Sequence, residues 1–455
     1  MGDLLRPRAR RAHAASSGRG PHGRGEMNAP PRRLAAASSA GAIVLLAIAA
    51  TLPDSAPSDA PIPDDVRRRL LSMRRGAALA PDSTNRVADD ADAANLGQRL
   101  FFEPRLSRNG EVSCATCHLP ERGFTDGRQR GVGLSEGVRN TQGLLDIADL
   151  PWFTWDGRAD SLWSQALHPF EDSREMGMPR AELIERVRSI DELRREYEKV
   201  FGPLPSPASS PADGAAGVPG PATESIAINR AFANIGKAIA AYERRLRTGP
   251  GAFDRELARI AAGESAPADR SDAAASEPID GFGETERRGM LLFAGRAGCW
   301  RCHHGPSLSD GSFHSIGVPP LSGELPHDRG RFDAIARLQA SPFNAAGAFS
   351  DDPAGMRGRL TLSLVAEPSL WGAVRTPSLR NVSKTAPYMH EGQFESLERV
   401  VRFYSTLEGA LADHHGERVL EPLGLSDQEI ADLVAFLRSL DGAPPAPPLL
   451  SPPKD

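Results

Sequence analysis

The feature that most constrains this chain is a pair of C-x-x-C-H motifs that together use all four of its cysteines. The motif residues are Cys114, Cys117 and His118 in the first copy and Cys299, Cys302 and His303 in the second. In such a motif the two thiols form thioethers with a haem, and the adjacent imidazole binds the iron. Two C-x-x-C redox pairs or a four-cysteine zinc site are the alternatives. The histidine fixed beside each pair favours two covalently bound haem c groups.

Length and composition limit what surrounds these motifs. The 455 residues suit two or three domains with additional unfolded ends. Lys and Arg number 54 against 59 Asp and Glu, so the charge does not favour a nucleic-acid partner and leaves a protein or a small molecule. Apolar spacing is helical and long strands are hard to find. We expect a mainly α fold made of two cytochrome-c-like haem domains with long irregular loops.

Helical periodicity appears on both sides of the motifs. The last predicted helix begins with a Ser426-x-x-Glu429 capping box. The predicted helices are Ala91–Phe102, Arg180–Phe201, Ile226–Leu246, Glu284–Phe293 and Ser426–Leu440.

The N-terminus has the layout of an export signal. Arg32 and Arg33 precede an apolar stretch from Leu34 to Leu52, and small residues follow it. An uncleaved membrane anchor is the alternative, since the stretch is close to the shortest length that spans a bilayer. Both interpretations place the folded part in the periplasm.

Composition also suggests where the domains end, because Pro, Ala, Ser and Gly dominate three stretches that lack apolar periodicity. We assign residues 1–55 to a leader and signal peptide or anchor, 85–260 to the first haem domain with a disordered insertion at 203–221, 261–278 to a low-complexity linker, 279–442 to the second haem domain and 443–455 to a disordered tail.

Further motifs occur in a fixed order around the two haem sites. They are Gly123–Gly127, Arg139–Thr141, Trp155–Arg158, Glu175–Met176, Phe313–Gly317, Thr376–Asn381 and Pro387–Gly392. With them the chain, from about Leu96 to Leu440, resembles the bacterial di-haem cytochrome c peroxidase / MauG family. The resemblance implies an enzyme that reacts with hydrogen peroxide at the first haem. Its electrons would come from a periplasmic donor protein or from Trp or Tyr side chains of a protein substrate. A non-enzymatic di-haem electron-transfer cytochrome is the alternative.

The resemblance also implies roles for three side chains near the first haem. Glu175 matches the distal carboxylate, which would move a proton from one peroxide oxygen to the other. Gln165 matches a residue of the same pocket, and Trp155 matches the tryptophan between the haems that relays electrons. A surface carboxylate is the alternative for Glu175, and plain core packing is the alternative for Trp155.

The axial ligands separate branches of the family. Where other members have an iron-binding histidine between two glycines, this chain reads Gly131–Gly133 with a central valine, which cannot bind iron. We therefore expect His118 to be the only protein ligand of the first iron, as in the MauG-like branch. At the second iron the resemblance places Tyr404 opposite His303. Met389 is the alternative ligand, and a tyrosine that is merely packed is the other interpretation.

A calcium site is implied as well. Asn140, Thr385 and Pro387 match the family's site, through one side-chain amide and two main-chain carbonyls. Oxygen ligands of this kind suit a hard cation. We expect one calcium ion besides the two haems.

Overall fold

The structure is a computed structural model that describes residues 61–76, 78–205, 226–263, 281–322, 328–411 and 420–454. The predicted export signal lies outside these ranges, as do most of the 203–221 insertion and of the 261–278 linker. Among the helices of the described ranges, none combines the length and the apolar character needed to cross a membrane.

The fold is mainly helical, as the sequence predicted. A two-stranded antiparallel sheet pairs Phe313 with Arg375 and His314 with Val374. The elements in the described ranges are α1 (Asp64–Ser72), α2 (Ala91–Phe102), α3 (Cys114–Cys117), α4 (Leu162–Glu171), α5 (Arg180–Ser189), α6 (Asp191–Phe201), α7 (Ile226–Glu243), α8 (Ala252–Ala262), α9 (Glu284–Ala294), β1 (Phe313–His314), α10 (Arg331–Ala340), α11 (Met356–Ser363), β2 (Val374–Arg375), α12 (Leu397–Thr406) and α13 (Asp427–Arg438).

Four of the predicted helices form with bounds close to those expected, and the fifth is divided. The predicted capping box forms at the start of α13, where the Ser426 backbone N–H donates to Glu429 at 2.9 Å. The helix predicted over 180–201 breaks at Ile190, which is extended with a ψ of 106°. The break buries Ile190 in the core. Asp191 and Glu192 then begin α6, where acidic side chains favour a helix start.

The first hydrophobic core surrounds the first motif and is built by α2, α4, α5 and α7. A Cβ on Gly97 of α2 would lie 1.9 Å from the carbonyl oxygen of Ala238 on α7. Only glycine permits this approach of two helix backbones. The close contact fixes α7 against α2, and through them the wall of the site described below.

A second core surrounds the second motif and is built by α1, α8, α9, α12 and α13. Here the packing corrects a predicted boundary. We placed α8 in the first haem domain, but its apolar face, including Phe253 and Leu257, is buried in the second core. Although the predicted range of the first domain includes α8, this helix packs with the second core.

The tail predicted to be disordered is instead ordered in the structure as far as Lys454. Leu449 and Leu450 pack against the first core. The Tyr242 hydroxyl donates to the Leu449 carbonyl at 2.6 Å, and the Gln98 amide donates to the Ser451 carbonyl at 2.7 Å. The proline content of this segment alone favours disorder. The packing of its two leucines and the hydrogen bonds to its carbonyls keep it in place.

A buried polar network joins segments that are far apart in sequence. The Asp146 side chain accepts hydrogen bonds from the Thr248 hydroxyl at 2.6 Å and from the Asn381 amide at 3.0 Å. It also forms an ion pair with Arg75. Because Asp146 is only 4% exposed, its partners and not water satisfy its charge.

Removing this carboxylate leaves the Arg75 charge without its partner. We expect Asp146→Ala to lower the free energy of unfolding by about 3 kcal/mol, the range for breaking a buried ion pair. Denaturant titration of the haem-loaded protein measures it. Glu185→Ala is the control, since Glu185 is exposed within α5 and its pair with Arg188 contributes little. Equal stability of both variants would show that the network is not a stabilising element.

Candidate functional site

The first motif forms a short helix beside a cavity. Ser113 and Thr116 form a capping box that begins α3. The cavity has an empty volume of about 460 Å³. It is lined by Phe101, Val112, Ser113, Cys114, Cys117, His118, Gln165, Ala166, Pro169, Glu175, Met176, Ile239 and Glu243. The structure thus brings together the first motif, Gln165 and Glu175, as the sequence predicted.

Both motif histidines are held in the same way. His118 Nδ1 lies 2.9 Å from the carbonyl oxygen of Phe124, and His303 Nδ1 lies 3.0 Å from that of Leu308. A carbonyl only accepts, so Nδ1 carries the hydrogen and Nε2 carries the lone pair that binds iron. Phe124 and Leu308 have φ of 61° and 50°, a conformation that bulky residues rarely adopt. Burial lowers the pKa of both histidines, which favours the neutral ligand form.

The cysteines do not fit the two alternatives to haem. Burial raises the pKa of Cys117 to about 11 and of Cys299 to about 12, whereas redox-active pairs depend on a lowered thiol pKa. Cys114 packs against the first core and Cys299 against the second, so the pairs do not form one four-cysteine zinc site. In each copy, paired thiols and a neutral imidazole beside them fit a covalently held haem.

Glu175 follows α4 in a tight loop that fixes its backbone. Its N–H donates to the Asp172 carbonyl at 3.0 Å, and its carbonyl accepts from Leu134 at 3.0 Å. Gly133 lies directly against this backbone, since an added Cβ would sit 2.6 Å from the Glu175 carbonyl oxygen. The segment with valine in place of the ligand histidine therefore serves as the support of Glu175.

Electrostatics suit Glu175 to proton transfer. Burial raises the pKa of its carboxyl, and the opposing charge of Arg158 limits the rise. A carboxyl whose pKa approaches the working pH can both take and give a proton.

Gln165 lies on α4 four residues before Pro169. Because proline lacks an N–H, the Gln165 carbonyl does not receive the hydrogen bond that an α-helix normally provides at this position.

The second motif lies near Tyr404. Burial raises the pKa of the Tyr404 phenol, and the charges of Cys299 and Cys302 add to the effect. Tyr404 therefore lies within reach of the charges of both cysteines, and its role as a ligand stays a prediction. His314, which sequence reasoning left without a role, lies there too. Its Nε2 is 2.8 Å from Asp310, and this hydrogen bond is the main cause that raises the pKa of His314 to about 10.

Trp155 lies between the two halves of the chain. Its indole N–H donates to the Asn140 carbonyl at 2.9 Å, and its own carbonyl accepts from Arg375 at 2.7 Å. The ring is 8% exposed and meets His390 edge to face at 6.5 Å. This position fits both an electron relay and core packing.

The predicted calcium residues lie on segments that touch. The Asn140 N–H donates to the His390 carbonyl at 2.8 Å, three residues beyond Pro387. The Asn140 side-chain amide donates a hydrogen bond from Nδ2 to the backbone carbonyl of Arg128 at 2.9 Å. The Thr385 methyl group lies 3.1 Å from a Cβ built at Gly143.

Sequence reasoning missed Glu243. It lines the cavity at the end of α7, is 4% exposed, and its Oε2 has no hydrogen-bond partner in the described part of the chain. The available signal was a lone carboxylate at the end of the Ala- and Ile-rich run of α7.

Comparison with known proteins shows the family of this chain. The family model of di-haem cytochrome c peroxidase matches residues 91–261. The methylamine utilization protein MauG of Methylorubrum extorquens (strain AM1) is 32% identical over 384 residues, 84% of this chain and 87% of the relative. The chain belongs to the di-haem cytochrome c peroxidase and MauG family. Membership of this family implies two haems and peroxide-related redox chemistry.

Two other members of the di-haem peroxidase and MauG family show how far the likeness extends. Cytochrome-c peroxidase IdrP1 of Pseudomonas sp. (strain SCT) is 29% identical over 370 residues, 80% of this chain and 83% of the relative. The crystal structure of a MauG-like protein associated with microbial copper homeostasis is 27% identical, with a TM-score of 0.59, and the match covers 83% of this chain and 98% of that one.

Because Gly133 supports Glu175, we expect Gly133→Ala to displace the carboxylate and slow the reaction with peroxide. Small misplacements of a reacting group reduce rates by about tenfold to a hundredfold. Stopped-flow absorbance after peroxide addition measures the rate, with circular dichroism as a check on folding. Gly137→Ala is the control, since its nearest atom is the Gly131 carbonyl oxygen at 3.2 Å. An unchanged rate in Gly133→Ala would contradict the supporting role.

Proposed function

We propose that this chain is an exported di-haem c-type peroxidase that reduces hydrogen peroxide at its first haem and oxidises a partner protein. The observation that carries the proposal is that Glu175 and Gln165 share one cavity with the thiols and imidazole of the first motif. A simple electron carrier has no use for a partly buried carboxyl with a raised pKa beside its cofactor.

Cys114 and Cys117 would hold the first haem and His118 its iron, which supplies the peroxide-binding and electron-accepting chemistry. Glu175 takes a proton from one peroxide oxygen and returns it to the oxygen that leaves. The Gln165 amide offers an N–H donor to the same oxygens.

The side of the first haem opposite His118 is proposed to be open in the resting protein. The Val132 carbonyl lies 3.4 Å from the Cys117 sulfur, and its side chain offers no ligand atom. Peroxide would therefore reach the site without a prior reduction that releases a ligand. On this ground we propose that the chain belongs to the MauG-like branch.

We further propose that each hydrophobic core is a cytochrome-c-like haem domain, and that Tyr404 together with His303 would hold the second iron. A phenolate favours ferric over ferrous iron, so this haem would share oxidising equivalents with the first. Asn140, Thr385 and Pro387 remain the proposed calcium ligands, and Trp155 the relay between the haems.

The electrons would come from a periplasmic donor protein or from Trp or Tyr residues of a protein substrate. The likeness to MauG and to cytochrome-c peroxidases supports a protein partner of one of these kinds. The basic and then apolar N-terminal sequence supports export, by a cleaved signal or by an anchor.

Glu175→Gln tests the proposal, because the amide keeps the shape of the side chain and loses its proton transfer. We expect peroxide to bleach the ferric Soret band of the wild type and to act at least about a hundredfold more slowly on the variant. Glu171→Gln is the control, since Glu171 is exposed and pairs with Arg180. If peroxide leaves the wild-type spectrum unchanged, the chain is an electron-transfer cytochrome.

Tyr404→Phe tests the second ligand. Loss of the phenolate should raise the reduction potential of one haem and change its ferric spectrum, since a phenolate stabilises the ferric state. Spectroelectrochemistry measures both. Met389→Leu is the matched variant: a change there, with Tyr404→Phe unaltered, would identify Met389 as the ligand and Tyr404 as a packed side chain.

A further inference from the structure

A second carboxyl faces the cavity that holds Glu175. Glu243 is the last residue of α7, and Ile239, one helical turn before it, lines the cavity on the same face. Its Oε2 is buried and has no hydrogen-bond partner among the residues that the structure describes. A buried polar atom without a hydrogen-bond partner is rare in proteins. The space beside the Glu243 carboxyl is the cavity.

The position of Glu243 along the cavity follows from its neighbours. α7 packs between α2, which carries Phe101 near His118, and α4, which carries Gln165. The charge of Glu243 acts on Cys114, so these two residues lie near each other. Glu243 reaches the cavity from the end of α7 and Glu175 from the loop that follows α4.

The surroundings of Glu243 favour its neutral form. Burial is the sole cause of its shift and raises its pKa to about 8. The ionisable groups whose titration it influences, Cys114 and Tyr242, are neutral when protonated and offer no positive charge. Glu175, in contrast, has Arg158 to oppose its shift. The two carboxyls of one cavity thus differ, and Glu243 is the better store for a proton.

We propose that Glu243 is a second proton-holding residue of this site, which rests as the neutral acid and supplies a proton to the peroxide oxygens. The inference rests on the proposed peroxidase function. Reduction of hydrogen peroxide breaks the O–O bond and consumes two electrons and two protons to give two waters. Glu175 moves a proton between the two oxygens and adds none, so both protons must enter from elsewhere. Glu243 supplies one and regains it from solvent, the second proton comes from solvent, and the partner protein supplies the two electrons.

The test compares Glu243→Gln, which stays neutral but has no proton to give, with Glu243→Asp, which keeps the acid on a shorter side chain. Glu256→Gln is the matched control, since Glu256 is also buried but lies on α8 in the second core. Two measurements are made across pH on the haem-loaded proteins: the steady-state rate of peroxide consumption with a chemical electron donor present, since proton uptake accompanies electron supply, and the ferric absorption spectrum without peroxide.

For the wild type we expect the rate to fall as pH rises through about 8, where Glu243 loses its proton. The ferric spectrum should shift over the same interval, because a charge appears beside the cavity. Glu243→Gln should lose the spectral shift and the fall in rate, and react about tenfold more slowly at neutral pH. Glu243→Asp should restore a fall in rate, and Glu256→Gln should behave as the wild type.

Two outcomes overturn the inference in different ways. If the wild type reacts with peroxide and Glu243→Gln keeps the same dependence on pH, Glu243 is not the proton store and the proposed function stands. If the wild type does not react at all, both fail. Glu175→Gln separates the carboxyls, since it should slow the reaction and keep the pH-dependent spectral shift.

Discussion

The hydrogen bond from Nδ1 of each motif histidine to a backbone carbonyl is the interaction on which the rest of this structure depends. Without it, His118 and His303 could rotate or adopt the other tautomer, and Nε2 would not be held ready for iron. Each bond requires the acceptor residue, Phe124 or Leu308, to adopt a left-handed backbone. The surrounding core must supply the free energy for that conformation.

The chemistry of the first site depends on the burial of the carboxyls that line its cavity. Water would hold a carboxyl in its charged form, but burial raises the pKa of both Glu175 and Glu243. Of these two residues, only Glu175 has an arginine, Arg158, acting on its carboxyl. Its backbone also packs directly against Gly133, an approach that glycine allows. One cavity therefore contains two acids of different strength, a pattern typical of sites that take and give protons in sequence.

Periodicity predicted the helices because it is a property of the chain itself. The family resemblance predicted that Glu175 and Gln165 share the pocket of the first motif, where both lie, while the haem ligands stay predictions. The sequence did not predict the break at Ile190 or the left-handed Phe124, because tertiary packing overrides local preference at both positions. Glu243 was missed for a related reason: only the packing of α7 between two other helices shows which of its side chains face the cavity. Leu449 lies in a proline-rich tail whose composition favours disorder, and the first core against which it packs forms only when the chain folds.

The position of Trp155 shows why the two interpretations of that residue do not exclude each other. Its indole N–H is bonded to Asn140 from the first half of the chain, and its carbonyl to Arg375 from the second half. The first bond orients the ring, and the second fixes its backbone to the other half of the chain. Electron transfer through a side chain requires a fixed separation, and a packed core provides it. The buried Asp146 network acts in the same direction, since it ties both halves together at a second point.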